Sequence, residues 1–141
     1  MQFWISVTSK DHVLDSLAGG FMQAPGDKAG PLHQLERGDI VFFYSPRTLF
    51  RRGEVLQAFT GVARVTSDAA QQVTAPVRVR PWRRDIQALT SEETPAEPLV
   101  AELAFITDKE HWASSIGRGM VSLDAADAAR IAAAMKADIG L

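Results

Sequence analysis

The sequence predicts an α+β domain, a mixed β-barrel with flanking short helices and a C-terminal helix. Three observations carry this reading. The chain opens on a period-two strand followed at once by a short helix. The runs after it are strand-like and joined by long loops, without the helices that βαβ units place between parallel strands. The last alanine-rich stretch has helical spacing and a cap. With 141 residues, 46% of them hydrophobic, residues 1–141 suffice for one domain around one core.

Each element follows from local chemistry. Phe3, Ile5 and Val7 alternate with Trp4, Ser6 and Thr8, so the first strand has two different faces. Ser9 stands where an N-cap belongs, Val13, Leu14 and Leu17 are helically spaced, and Gly19-Gly20 ends the helix. Phe21-Met22-Gln23 leads into the loop Ala24 to Pro31, dense in Gly and Pro, and Pro31 opens a short turn through Leu32 and Leu35. Ile40 to Ser45 is a strongly predicted strand, a loop follows to Glu54, and Val55 to Val65 is a second long strand with Gly61 as its bulge or bend. Val77-Arg78-Val79-Arg80 alternates as another strand. Thr90 to Pro98 is an exposed connection, and Leu99 to Ile106 fits either helix or strand, with a short helix the preferred reading. Thr107 or Asp108 caps a turn reaching Trp112, and Gly119 to Leu123 is a late strand. Asp124 caps the final helix, which runs to about Ala137 with Ile131 and Met135 on its buried side.

Composition excludes several classes. There is no cysteine, hence no disulfide, thiolate metal site or cysteine nucleophile, and a reducing cytoplasm is the expected compartment. No run reaches the ~18 apolar residues of a membrane span, and the N-terminus lacks the basic region and cleavage site of a signal peptide. His12, His33 and His111 have no metal-ligand spacing, and neither a nucleophile elbow nor a phosphate loop is present. No cofactor or metal is expected. The net charge of −2 argues against purely charge-driven nucleic-acid binding. Residues 40–90, however, hold eight basic groups, all Arg, against three acidic ones. Arginine forks onto phosphate and stacks on bases, which points to a polyanion surface; the alternative is a set of independently solvated faces.

Several ordered blocks resemble the EVE domain, a PUA-like family related to the YTH readers of modified RNA, in its short bacterial form. They are Phe3-Trp4-Ile5, Val7 to Val13, Gly19-Gly20-Phe21-Met22-Gln23, Gly38-Asp39 with Tyr44 to Arg47, Leu56 to Thr60, Arg80 to Asp85, and Phe105 to Trp112. The resemblance implies a PUA-like barrel whose pocket holds a nucleobase, with modified DNA or RNA as partner and no catalysis. It places the pocket at the end of the first strand and after the first helix, at Ser9 with His12 and Phe21 with Gln23. Two departures bear on ligand preference: Gly26-Asp27-Lys28 replaces a His-Gly-Lys loop, and in Trp112 to Gly119 the arginine, Arg118, is displaced by one residue.

A base pocket needs a stacking surface and a few neutral donors and acceptors. Phe21, Tyr44, Trp82 and Trp112 are the aromatic candidates, while Trp4 is read as core. Ser9, His12 and Gln23 supply polar contacts, although helix capping would also occupy Ser9. Lys28, Arg47, Arg80, Arg83 and Arg84 are the candidate phosphate contacts. The alternatives are a hydrolase of modified nucleosides, in which Lys28 works with Asp27 or Asp39, and a protein-interaction module.

Overall fold

The computed structural model describes residues 1–24, 30–73, 81–117 and 119–141, with only the backbone of Ala24. In chain order the elements are β1 (Phe3–Val7), α1 (Lys10–Gly19), β2 (Phe21–Ala24), β3 (Ile40–Leu49), β4 (Arg52–Val65), β5 (Gln71–Gln72), β6 (Trp82–Leu89), β7 (Thr94–Pro95), α2 (Trp112–Ile116), β8 (Met120–Leu123) and α3 (Ala125–Ala134). Turns of 3₁₀ helix lie at Gly30–Gln34 and Glu97–Glu102.

The strands form one curled sheet in the order β2-β6-β4-β3-β1-β8, with β5 on β6 and β7 on β4. Among the described residues its two ends do not pair, so the expected barrel is a half-barrel. β1 runs parallel to β3, and the other pairings are antiparallel.

The sheet is covered on both sides, and strand parity sorts the core. Phe3, Ile5, Ile40, Phe42 and Tyr44 face α3 and the segment around Leu99 to Ile106. Trp4, Val41 and Phe43 face α1 and the turn carrying Leu32 and Leu35. A strand buried on both faces has no polar partner positions, which explains the unbroken apolar run at Ile40 to Tyr44. Gly61 serves the helix: a Cβ there would lie 2.7 Å from Leu17 and 3.0 Å from Val13. The bulge falls beside it, where the register shifts between Phe43↔Gly61 and Tyr44↔Phe59.

Two buried carboxylates, Asp39 and Asp127, and an exposed one, Asp124, pin the ends of this frame. Asp39 accepts hydrogen bonds from Gln2 N at 2.9 Å, Trp4 Nε1 at 3.1 Å and Glu36 N at 2.9 Å. Asp124 caps α3 by accepting from Asp127 N at 2.8 Å, and Asp127 in turn accepts from Ala104 N and Phe105 N, both at 2.9 Å.

Three sequence expectations are corrected. The loop expected between Ser45 and Glu54 is strand on both sides of a tight turn at Phe50-Arg51, because Leu49 pairs with Arg52 and Arg47 with Val55. The strand β6 had no counterpart in the pattern analysis, since its outer face is polar. Leu99 to Ile106 is only partly helical, as 3₁₀ turns through Glu102. The strand expected at Val77 to Arg80 lies outside the described residues.

Candidate functional site

The sequence candidates fall at three places. At the first, β2 and β6 pair antiparallel, with Phe21 opposite Asp85, Met22 opposite Arg84, and Gln23 opposite Arg83. Parity then sends Phe21, Gln23, Arg83 and Asp85 to one face, and Met22 and Arg84 to the core. β5 adds Gln71 opposite Arg83, which makes a row of Gln71, Arg83 and Gln23 across three strands. Phe21, Arg83 and Asp85 line a cavity of about 380 Å³ together with Ser67, Ala69, Gln71, Gln72 and Val73.

Inside it the Arg83 guanidinium lies 3.9 Å from the centroid of the Phe21 ring, and its Nε donates to Gln23 Oε1 at 3.0 Å. The Phe21 ring also rests against Gly19, whose added Cβ would lie 3.0 Å from the ring edge. Phe21 is thus held between backbone and guanidinium, and Gln23 fixes the plane of that guanidinium. A flat cation is an aromatic-like platform, and the amide of Gln71, opposite Arg83, offers both donors and acceptors. The volume falls in the range of small-molecule pockets.

The second place is a further cavity of about 380 Å³, lined by Gln57, Glu97, Glu110, His111, Trp112, Ala113 and Ser114. Gln57 sits in the bulged part of β4 with φ +50°, a left-handed backbone that re-aims its side chain. His111 Nδ1 lies 2.9 Å from Asp108 Oδ2. Two glutamates and no arginine among the described lining residues make this cavity unfavourable for a phosphate-bearing ligand.

The third place is the start of α1. Ser9 occupies the N-cap position, but its hydroxyl donates to Asp11 Oδ1 rather than capping a backbone N–H. That hydrogen bond holds the Asp11 carboxyl below the usual carboxylate range. His12 stacks on Phe50 of the β3–β4 turn, with ring centroids 5.3 Å apart. Neither Ser9 nor His12 lines the cavity that Phe21 lines. Ser9 and His12 stand at the start of α1 and Phe21 and Gln23 follow its end, the helix itself being about 15 Å long at 1.5 Å rise per residue.

Other candidates are corrected or placed elsewhere. Arg84 is 1% exposed. Its Nη1 donates to Leu32 O at 3.0 Å and to Leu35 O, its Nη2 to Ser67 O at 2.7 Å, and its Nε to Ser67 Oγ at 3.0 Å, so it is a strut and not a phosphate contact. Burial pushes its guanidinium below its ordinary value, against the opposing pull of Asp39, Asp68 and Asp85. Tyr44 is buried against Phe59 at 5.6 Å between ring centroids and faces no cavity described here. Trp82 is half-buried and meets His33 edge-on at 5.3 Å, on the strand face opposite Arg83. Arg47 is exposed on the β3–β4 hairpin, where Nη1 donates to Gly53 O at 3.2 Å. Asp39 is buried and accepts from three N–H donors, which ties it to the frame. Lys28, Arg80, Asp27 and Arg118 lie outside the described residues. Among those described, no three His, Asp or Glu converge as a metal site would need, and no helix is long and apolar enough to cross a membrane.

Sequence reasoning missed Ser67, Gln71, Gln72 and Asp85. Parity along β6 was the available signal for Asp85, since it shares the face of Arg83. Nothing local marks Ser67, Gln71 or Gln72, which reach the site only through pairing and the turn after β4.

The sequence profile of the EVE domain matches residues 2–134. The chain belongs to the EVE-domain family. This EVE domain is 40% identical over 135 residues to a UPF0310 protein of Mycolicibacterium vanbaalenii, covering 96% of this chain and 93% of that one. It is 31% identical over 137 residues to the UPF0310 protein YdcG of Bacillus subtilis, covering 97% and 94%. Among solved structures, the fold is similar to an NMR structure of a Rhodopseudomonas palustris protein, with a TM-score of 0.59, 12% identity, and 96% and 94% of the two chains covered. An Agrobacterium tumefaciens crystal structure is similar at a TM-score of 0.57 and 10% identity, covering 93% and 90%. At such identities the likeness concerns the fold. The family and the half-barrel are consistent with a PUA-like fold.

Proposed function

We propose that this EVE domain is a non-catalytic binding module that takes a nucleobase, in DNA or RNA, against the Phe21–Arg83 platform. One observation carries the reading: a guanidinium is stacked on an aromatic ring and tethered by an amide, at the wall of a cavity whose other polar groups include the Gln71 amide, a hydroxyl and a carboxylate. Stacking onto such a platform contributes roughly 1–3 kcal/mol per base. The amide of Gln71 suits the uncharged edge of a heterocycle, and Asp85 favours an edge rich in N–H donors, such as the exocyclic amine of cytosine or adenine. A base carrying an added group on that edge changes the fit where these side chains meet it, and this is the basis for preferring a modified base.

The test is a titration of the whole chain with short oligonucleotides carrying plain or modified cytosine or adenine. The expected result is a preference of about tenfold, or about 1.4 kcal/mol, for one modification. Arg83→Gln and Gln23→Leu should both abolish that preference. Equal binding of plain and modified bases, or variants that keep the preference, would refute the reading.

A further inference from the structure

The β3–β4 hairpin is the other feature that asks for a partner. β3 and β4 are 10 and 14 residues long, and they carry a tip on which residues 46–55 are exposed apart from the half-buried Thr48. Leu49, Phe50 and Val55 are 39%, 55% and 62% exposed, unusual for large apolar side chains grouped on one ribbon. Arg47, Arg51 and Arg52 share this tip with a single carboxylate, Glu54.

The tip is built to a fixed shape. Gly53 has φ +82°, and a Cβ there would lie 2.9 Å from Leu49 N. Glu54 N donates to Thr48 Oγ1 at 3.0 Å across the ribbon. Arg51 takes the left-handed φ of +58° at the turn, which places its guanidinium 5.0 Å from the Phe50 ring centroid. Phe50 also meets the His12 ring, tilted by only 27°, so α1 braces the turn from below.

We infer that this tip docks a single-stranded nucleic acid, stacking bases on Phe50 and engaging phosphates with Arg47, Arg51 and Arg52. The charge and the exposed aromatic together select that occupant: three guanidiniums in six residues complement a polyanion, and a Phe50 that is 55% exposed, with Arg51 over its ring, offers a base a stacking surface. The inference rests on the proposed nucleic-acid reading but concerns a separate surface, with α1 lying between the two.

Fluorescence anisotropy tests it with labelled single strands of about twelve nucleotides, inside the ~4–16 covered by compact single-strand-binding domains. Phe50→Ala should weaken binding about tenfold for plain and modified strands alike, and Phe50→Trp should restore it. The triple variant Arg47→Gln, Arg51→Asn, Arg52→Gln should make the slope of log affinity against log salt shallower by about two, at roughly 0.7 per phosphate contact. All these substitutions are on exposed side chains, and melting curves matching the parent check the fold. Hairpin variants that bind like the parent while Arg83→Gln loses base preference overturn the hairpin inference alone. A parent protein that binds no oligonucleotide overturns both proposals.

Discussion

Replacing Arg84 with methionine separates the two roles an arginine in this segment can play. If Arg84 met phosphate, Arg84→Met would weaken ligand binding and leave stability alone. The structure requires the opposite. Methionine fills the place of the stem, so little cavity is created, but Leu32 O and Leu35 O lose a donor in a buried setting. Each such orphaned acceptor costs about 1–3 kcal/mol, and release of the guanidinium from its own desolvation returns part of that. A net loss of about 3 kcal/mol follows. Unfolding entropy of about 2.1 cal/mol/K per residue, over 141 residues, converts it to a melting point lower by roughly 10 °C. Thermal melts read by far-UV circular dichroism, with urea titrations for the midpoint, make the measurement. A shift under about 3 °C, accompanied by lost oligonucleotide affinity, would refute the assignment of Arg84 as a strut.

Two further outcomes test the core. Burial pushes the Tyr44 phenol up to about 12, against about 10 in the unfolded chain. Because the folded value is the higher one, its contribution is complete below pH 10 and is lost as pH rises toward 12. The stability lost across this window is on the order of 2–3 kcal/mol, the cost of ionising a buried phenol. Urea midpoints of Tyr44→Phe should fall less steeply than the parent's across this window, and parallel curves would show that the phenol is solvated. Gly61→Ala should destabilise by about 1–3 kcal/mol, because its methyl meets Leu17 and Val13. Adding Leu17→Ala should recover part of the loss, and no recovery in the double variant would mean that α1 does not pack on this glycine.

What the sequence by itself determined is local. The first strand, the helix after it, the glycine that stops that helix and the capped final helix are all written in side-chain period and cap chemistry, which act within a few residues. The EVE family was legible too, because its blocks recur in order along the chain. Phe21, Gln23 and Arg83 were legible as candidates one by one, yet not as a unit. Arg83 and Arg84 look alike in sequence, and only the pairing of β6 with β2 decides that one faces the cavity and the other the core. The same holds for His12 and Phe21, nine residues apart in the chain and divided by a rigid helix. Ser67, Gln71 and Gln72 acquire their place from strands remote in sequence. Tertiary structure decided these matters because burial, strand parity and cross-strand partners are properties of what lies opposite a residue, and no local pattern encodes that.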